Sequence, residues 1–254
     1  MSGSTRRRRA STEKTRPSVF WLLGAAVVPV VGYLAKIEIE GEEHLPEEGP
    51  FVLAPNHYSE VDPLIMAVVV WRLGRAPRFL AKDSLFRVPV LGWALRKTGM
   101  VPVARAGHAG SKQTLEAAEQ LSRTGSGVVV YPEGTLTRDP EMWPMRGKTG
   151  AVRLAAAGDI PLIPVAHWGV QQIMPRYGKL RVWPPRRRVR VLFGPPLGVP
   201  PVSTERAAAG HNEATTVLMD RIAALLGELR DETPPAQRWD PAAHQQKETG
   251  RFES

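Results

Sequence analysis

The chain has 254 residues, and 43% of them are hydrophobic, which is enough for a substantial core in one large domain or two small ones. Its formal net charge is +9 and it contains no cysteine, which excludes disulfides and thiolate metal sites. A basic balance of this kind is typical of proteins with anionic partners such as nucleic acid, anionic lipid headgroups or phosphorylated substrates.

The N-terminal part of the chain combines a basic tail with an apolar segment. Residues 1–17 hold six basic side chains against one glutamate, and we expect a disordered basic arm there. The segment 18–35 carries no charge, and its 17 residues from Val19 to Ala35 would measure about 26 Å as a helix, against a bilayer core of about 30 Å. The upstream arginines would hold that end on the cytoplasmic side. We therefore predict a monotopic or single short anchor on the cytoplasmic face of the cell membrane; a helix buried in the core is the alternative.

From residue 36 onward, short apolar runs alternate with helical patterns, which is typical of α/β proteins. We predict a mixed, mostly parallel sheet flanked by helices in a domain at 36–231, with the anchor as an N-terminal membrane-associated helix. A disordered tail is predicted at 232–254. The predicted strands are 36–40, 51–55, 78–82, 100–104, 127–131, 160–166, 180–183 and 188–193, and the predicted helices are 63–73, 89–98, 109–123, 147–158 and 204–230.

The second predicted strand leads into His57, and Asp62 follows five residues later. On one continuous helix, five residues amount to about 140° of rotation, so the two side chains meet only if a loop separates them. The pair Asp62-Pro63 favours such a loop, because Asp is a preferred N-cap and Pro suits the first helical position. A His beside a carboxylate can take a proton from an alcohol, whereas the alternative is a plain helix cap and a plain loop residue.

Further polar residues follow other predicted strands. Arg105 comes directly after the fourth strand, and its planar guanidinium suits a phosphate, although an exposed strand-end arginine is the alternative. Glu133 and Arg138 follow the fifth strand, where Pro-Glu-Gly is also ordinary turn chemistry. Because sites in open α/β sheets form at the carboxyl ends of strands, this convergence with His57 indicates a functional site.

Lys148 lies at the start of a predicted helix, within Gly-Lys-Thr. A P-loop would need a glycine at the position of Met142, so that interpretation is rejected. Lys148 would still be placed to contact an anionic group near the helix start. No metal-ligand spacing is present, and we expect neither a metal nor another cofactor.

Four blocks, in this order, resemble the glycerophospholipid acyltransferase family, of which 1-acylglycerol-3-phosphate acyltransferase is the best-known type. The blocks are Asn56-His57-x4-Asp62, Gly99-x3-Val103-x-Arg105, Tyr131-Pro132-Glu133-Gly134-Thr135 and Ile163-Pro164-Val165. The resemblance covers roughly residues 36–200. The family usually has an arginine directly after Glu-Gly-Thr, whereas this chain has Leu136, and Arg138 is the candidate substitute.

The resemblance implies transfer of an acyl chain from acyl-CoA or acyl-carrier protein to the free hydroxyl of lysophosphatidate, which gives phosphatidate. His57 would act as general base on the acceptor hydroxyl, and Asp62 would hold its imidazole and stabilise the imidazolium. The remaining predicted site residues bind the substrate: Asn56, Lys82, Arg105, Glu133, Gly134, Thr135, Arg138 and Lys148.

The implied partners are membrane lipids, the acyl donor and a lysophospholipid acceptor, without nucleic acid. One alternative is an acyltransferase that acts on another lipid hydroxyl, such as a glycolipid or an ornithine-type lipid. A second alternative is a non-enzymatic basic protein that binds membranes or nucleic acid, in which the arginines would matter and His57 would not.

Overall fold

The structure, a computed structural model, describes residues 10–15, 18–82, 86–103, 109–199 and 207–246. The helices are α1 (Thr12–Thr15), α2 (Val19–Leu34), α3 (Asp62–Arg72), α4 (Pro89–Lys97), α5 (Ala109–Thr124), α6 (Gly150–Gly158) and α7 (Ala207–Arg230). The strands are β1 (Ala35–Glu40), β2 (Phe51–Pro55), β3 (Leu80–Lys82), β4 (Val101–Val103), β5 (Gly127–Val129), β6 (Leu162–Trp168) and β7 (Arg187–Phe193).

The main sheet has the strand order β1-β7-β6-β2-β5. Strand β2 pairs in parallel with both β5 and β6, and β1 pairs in parallel with β7, whereas β6 and β7 are antiparallel. Strands β3 and β4 form a separate parallel pair. The predicted mixed, mostly parallel sheet is therefore confirmed.

The strand directions bring several chain segments to one edge of the sheet. Strands β2, β5 and β6 all end at this edge, which we call the carboxyl edge, because they are parallel to one another. Strands β7 and β1 begin there, because β7 is antiparallel to β6 and β1 is parallel to β7. Helix α2 leads directly into β1, so the C-terminus of α2 also lies at the carboxyl edge.

The core is divided between the two faces of the sheet. Phe51 and Leu53 of β2 belong to a buried cluster with α3, whereas Val52 and Ala54 belong to a second cluster with α5, α6 and α7. This alternation follows from the two-residue period of a strand. All five residues of β2 are buried, as expected for a central strand with helices on both faces.

The predicted anchor is helix α2, and Pro29 lies inside it. Phe20 and Val31 are buried, and α2 packs against α3. The exposed apolar side chains of α2 are Trp21, Leu22, Leu23, Val30 and Tyr33. Within the described ranges, no helix combines the length and the apolar character that crossing a membrane requires. The helix therefore has the packed side of a core helix together with an exposed apolar side.

The strand predicted at 180–183 is wrong. These residues lie in the loop between β6 and β7, and Leu180, Val182 and Trp183 are exposed. The apolar alternation of this segment resembles a strand, but Pro184 and Pro185 follow it, and proline cannot donate to a ladder hydrogen bond.

Both predicted disordered tails contain ordered residues. In the first, Ser11 is buried and its hydroxyl donates to the Gly74 carbonyl at 2.8 Å. In the second, which is described as far as residue 246, the Trp239 ring stacks on His244 with centroids 3.6 Å apart. Arg238 also donates to the Thr216 carbonyl on α7 at 3.1 Å. Composition indicated disorder here because single aromatic and arginine anchors weigh little in an average over a polar segment.

Candidate functional site

The loop after β2 brings His57 and Asp62 together. His57 Nδ1 lies 3.0 Å from Asp62 Oδ2, and the same oxygen accepts the backbone N–H groups of Tyr58 and Ser59 at 2.8 Å each. The Asp62 side chain is fully buried at the start of α3, whereas the His57 side chain is 15% exposed. Because a carboxylate only accepts hydrogen bonds, Nδ1 carries the ring proton and Nε2 has a lone pair available for an incoming hydroxyl.

Tyr131 covers one face of the His57 ring. The two ring centroids are 4.1 Å apart and the planes are inclined by 27°. The Tyr131 hydroxyl is buried and has no hydrogen-bond partner among the described residues. Burial raises the pKa of Tyr131 well above its ordinary value, so the phenol stays neutral beside the imidazole. The sequence placed Tyr131 in a block without giving it a role, and its ring restricts the orientation of His57.

Glu133 holds the backbone of His57. One carboxylate oxygen accepts the His57 N–H at 2.9 Å, and the other accepts the Met145 N–H at 3.1 Å. Burial raises the pKa of Glu133 to about 8, although these two N–H groups act in the opposite direction. The sequence predicts that Glu133 binds substrate, but its side chain is only 1% exposed. Its contacts are those of a positioning residue.

Asn56, which the sequence predicts to bind substrate, makes side-chain hydrogen bonds within the protein. Its side-chain oxygen accepts the His167 N–H at 2.9 Å, and its amide nitrogen donates to the His167 carbonyl at 3.1 Å. The residue is 1% exposed. Both ends of the amide are therefore engaged, and they align the end of β2 with the end of β6.

His167 is a site residue that the sequence argument missed. Its Nε2 lies 2.9 Å from the Asn56 carbonyl oxygen and 3.9 Å from Asp62 Oδ2, and its Nδ1 lies 3.2 Å from the Tyr58 hydroxyl. Since the carbonyl can only accept, Nε2 carries the proton and Nδ1 accepts from Tyr58. Burial lowers the pKa of His167, which favours the neutral ring. The signal that would have found it is its position at the end of a strand parallel to β2.

The basic residues that the sequence predicts for the site differ in exposure and in position. Lys148 is exposed, and a Cβ built on Gly134 would lie 3.2 Å from Lys148 Cδ, so the lysine stem passes over the Gly134 turn. Arg138 is buried. Lys82 is the last residue of β3, and Arg105 lies outside the described residues.

The turn after β5 includes Gly134, Thr135 and Thr137. Thr135 is half-buried, and Thr137 donates its backbone N–H to the His57 carbonyl at 2.7 Å. Gly134 has a φ of +68°, a backbone conformation that glycine adopts without steric cost. The structure thus brings His57, Asp62 and the turn at 133–137 together at the carboxyl edge.

Two cavities lie next to the site. A polar cavity of about 260 Å³ is lined by residues that include Glu133, Arg146, Lys148 and Asp240. An apolar cavity of about 290 Å³ lies between α2 and α3, and its lining includes Phe20, Pro63, Leu64, Ala67, Trp71 and Phe79. Since Pro63 directly follows Asp62 in the chain, the apolar cavity adjoins the loop that carries His57. In the described part of the chain, no cluster of three His, Asp or Glu side chains is arranged to hold a metal ion.

Comparisons with known proteins identify a family and a solved structure of similar fold. The family model of the acyltransferases matches residues 36–168. The chain belongs to this acyltransferase family. The resemblance inferred from the four blocks is therefore confirmed. Two of the blocks follow β2 and β5, and a third lies within β6; these three strands all end at the carboxyl edge.

Two curated relatives of this chain share one enzyme name. A chloroplast 1-acyl-sn-glycerol-3-phosphate acyltransferase of Brassica napus is 33% identical over 141 residues, which are 55% of this chain and 39% of that protein. The 1-acyl-sn-glycerol-3-phosphate acyltransferase alpha of Mus musculus is 33% identical over 176 residues, which are 68% of this chain and 57% of that protein. The chain spans about two fifths of the length of the plant relative and less than two thirds of the length of the mouse relative.

A solved structure supports the architecture. The crystal structure of PlsC, the 1-acyl-sn-glycerophosphate acyltransferase of Thermotoga maritima, matches with a TM-score of 0.58 and 22% sequence identity. The match covers 87% of this chain and 80% of that chain. At this level of identity, the likeness shows a shared fold.

Proposed function

We propose that this acyltransferase moves an acyl chain from acyl-CoA or acyl-carrier protein to the free hydroxyl of lysophosphatidate and so forms phosphatidate. The observation that carries the proposal is the contact of 3.0 Å between His57 Nδ1 and the buried carboxylate of Asp62. No described residue hydrogen-bonds to His57 Nε2, so this nitrogen is available to a substrate hydroxyl. The names of the curated relatives support lysophosphatidate as the acceptor.

The proposed reaction uses this pair as follows. His57 Nε2 takes the proton of the acceptor hydroxyl while the hydroxyl oxygen attacks the thioester carbonyl carbon. Asp62 stabilises the imidazolium that forms. The tetrahedral intermediate then breaks its carbon–sulfur bond, and the imidazolium returns its proton to the leaving thiolate. Because no enzyme nucleophile takes part, the acyl group passes in one transfer to the lipid.

The two cavities suit the two chemical halves of such a substrate. The apolar cavity between α2 and α3 would receive an acyl chain next to the loop of His57. Lys148, which passes over the Gly134 turn, would contact an anionic group of a substrate. Arg105, Lys82 and Arg138 remain predictions for the acceptor phosphate.

Helix α2 would be the membrane anchor, in a monotopic arrangement on the cytoplasmic face of the cell membrane. Its exposed apolar side supports this role, since apolar side chains on one side of a helix bury into the headgroup boundary. Its C-terminus at the carboxyl edge would bring the site close to lipid substrates.

Thiol release from palmitoyl-CoA by the purified protein tests the proposed function. Lysophosphatidate and its dephosphorylated monoacylglycerol counterpart are compared as acceptors. We expect thiol release with lysophosphatidate as the acceptor and none with monoacylglycerol. Release with both acceptors would point to another lipid hydroxyl, and the absence of release with palmitoyl-CoA and with palmitoylated carrier protein would refute the proposal.

A further inference from the structure

The loop between β6 and β7 carries an exposed group of apolar and basic side chains that the reaction does not use. We call residues 179–186 the arginine loop. Trp183 is 75% exposed and Val182 is 53% exposed, which are large fractions for apolar side chains. Lys179, Arg181 and Arg186 are exposed beside them. There is no Asp or Glu between residues 175 and 193.

The arginine loop lies at the carboxyl edge, where the candidate site is. It leads into β7, which begins at this edge. The Ser59 hydroxyl, between His57 and Asp62 in the chain, donates to the Met174 carbonyl at 2.7 Å, and the Tyr177 N–H donates to the Glu60 carboxylate at 3.1 Å. These contacts join the segment before the arginine loop to the loop that carries the catalytic pair.

The arginine loop also contacts the end of α2. The backbone N–H of Arg186 donates to the Tyr33 carbonyl at 2.7 Å, and the Tyr33 side chain is itself exposed. The exposed aromatic residues of the arginine loop and of the C-terminal turn of α2 are therefore neighbours along one edge of the molecule.

The basic residues of this region fall into two groups, those that bond to other residues and those that do not. The Arg187 guanidinium donates to the carbonyls of Arg181 and Trp183 and holds the shape of the loop, and Arg188 pairs with Glu38 at 2.7 Å. The side chains of Lys179, Arg181 and Arg186 form no hydrogen bond or ion pair with any residue that the structure describes. Their charge is available to a partner.

We propose that the arginine loop is a second membrane contact, separate from α2, that places Val182 and Trp183 in the headgroup boundary of an anionic bilayer. Tryptophan is favoured at that depth because its ring is apolar and its N–H remains in contact with water and headgroups. Lys179, Arg181 and Arg186 bind the lipid phosphates, and each such cation strengthens binding about fivefold.

Anionic lipid fits this surface better than nucleic acid does. The exposed side chains of the loop include a tryptophan and aliphatic residues, which gain from burial in the bilayer boundary. Two contacts, α2 and the arginine loop, fix the tilt of the protein and direct the carboxyl edge toward the bilayer. The membrane contact does not depend on the proposed reaction; the delivery of a lipid acceptor to His57 does.

The absence of cysteine from the chain allows a direct test with a depth-sensitive probe. Val182→Cys is labelled with an environment-sensitive fluorophore in the full chain and mixed with phosphatidylcholine–phosphatidylglycerol vesicles. The control is Gln120→Cys, an exposed position on α5 one turn before the edge opposite the site. We expect a blue shift and quenching by lipid-borne nitroxide for the label at 182 alone. If the emission of both labels is unchanged on vesicle-bound protein, the proposal is wrong. It is also wrong if added RNA, but not the vesicles, shifts the emission of the label at 182.

A matched pair of charge variants tests the role of the cations. Arg181→Ala with Arg186→Ala removes two charges from the arginine loop, and Arg123→Ala with Arg221→Ala removes two exposed charges from α5 and α7. We expect the first variant to bind the anionic vesicles at least about tenfold more weakly, and the second to change binding by less than about twofold. Equal losses would mean that only net charge matters and would overturn the proposal. Because the readout is binding and probe depth, it is independent of whether thiol release occurs.

Discussion

The orientation of His57 depends on contacts from separate parts of the chain. Asp62 bonds to its Nδ1, Tyr131 stacks on its ring, and Glu133 and Thr137 bond to the N–H and carbonyl of its backbone. Only Asp62 acts on the proton-carrying nitrogen. The other three contacts position the imidazole before substrate arrives, which is the preorganisation that proton transfer requires.

Glu133 makes a pH-dependent contribution to stability. Its pKa is about 8 in the folded protein, against an ordinary value of 4.5 in an unfolded chain. Between these values only the folded protein holds the proton, so this contribution is complete below the unfolded pKa and is lost as the pH rises through the folded pKa. Glu133→Gln removes the titration. We expect the unfolding temperature of the variant to rise relative to the wild type between about pH 5 and about pH 9.

Calorimetry at the two pH values measures this difference. Other groups, including His167, titrate in both proteins and cancel in the comparison. Glu43→Gln, at an exposed position, is the control for the loss of one carboxyl group. A Glu133→Gln difference that is the same at both pH values would contradict the assignment of the raised pKa to this carboxyl group.

The buried contacts of His167 predict coupled losses of stability. His167→Phe leaves the Asn56 carbonyl and the Tyr58 hydroxyl without their imidazole partner, and each buried polar group so affected costs about 1–3 kcal/mol. Tyr58→Phe removes one of these groups, so the double variant should lose less than the sum of the single losses, by about 1 kcal/mol. Urea unfolding of the four proteins measures the coupling, and additive losses would show that the two rings do not interact.

The sequence predicted the contact between His57 and Asp62 but not the surroundings of the pair. The spacing of His57 and Asp62 required a loop, and the Asp-Pro pair indicated one, so their meeting could be predicted. The sequence could not show that Asn56 and Glu133 bond to backbone groups, because those partners are far away in the chain. His167 was hidden for the same reason.

Among the elements, α2 and α3 have the most direct consequence for the proposed binding of the acyl chain. The apolar cavity lies between them, and Ala67 lines it. Ala67→Phe should fill part of this space and lower the rate with palmitoyl-CoA more than the rate with octanoyl-CoA. The control is Ala26→Phe on the exposed part of α2. Equal losses with both donors would mean that the cavity does not receive the donor chain.

The exposed side of α2 can be tested apart from its packed side. Leu22→Ser with Val30→Ser removes two exposed apolar side chains and leaves Phe20 and Val31 in the core. Each change should weaken vesicle binding by about 1.5 kcal/mol, or about tenfold, if the side chain is buried in the membrane. Vesicle sedimentation measures binding, and Leu115→Ser with Val217→Ser on α5 and α7 is the matched control. Similar binding of the two variants would place the anchor elsewhere.

The alternation of strands and helices predicted the layers of the fold, because hydrophobic periodicity is a local signal. It did not predict the order of the strands or the antiparallel pairing of β6 with β7, since both depend on contacts between distant segments. The error at 180–183 has a local cause: the apolar positions fitted a strand, whereas the following prolines and the exposure of Trp183 belong to a loop.

At the scale of the whole molecule, the site exists because of strand direction. Strands β2, β5 and β6 end at one edge and deliver His57, Glu133 and His167 to the same place. The same edge receives the end of α2 and the arginine loop, whose positions follow from β1 and β7 beginning there. The proposed catalytic residues and the proposed membrane contacts thus share one edge of the fold.

The central claim is that His57 is the general base of an acyl transfer. The most direct test is the initial rate of thiol release from palmitoyl-CoA in the presence of lysophosphatidate, measured for wild type, His57→Ala and the control His44→Ala. We expect a rate at least about a hundredfold lower for His57→Ala, an unchanged rate for His44→Ala and the same unfolding temperature for all three. A folded His57→Ala variant that turns over at the rate of the wild type would contradict this claim.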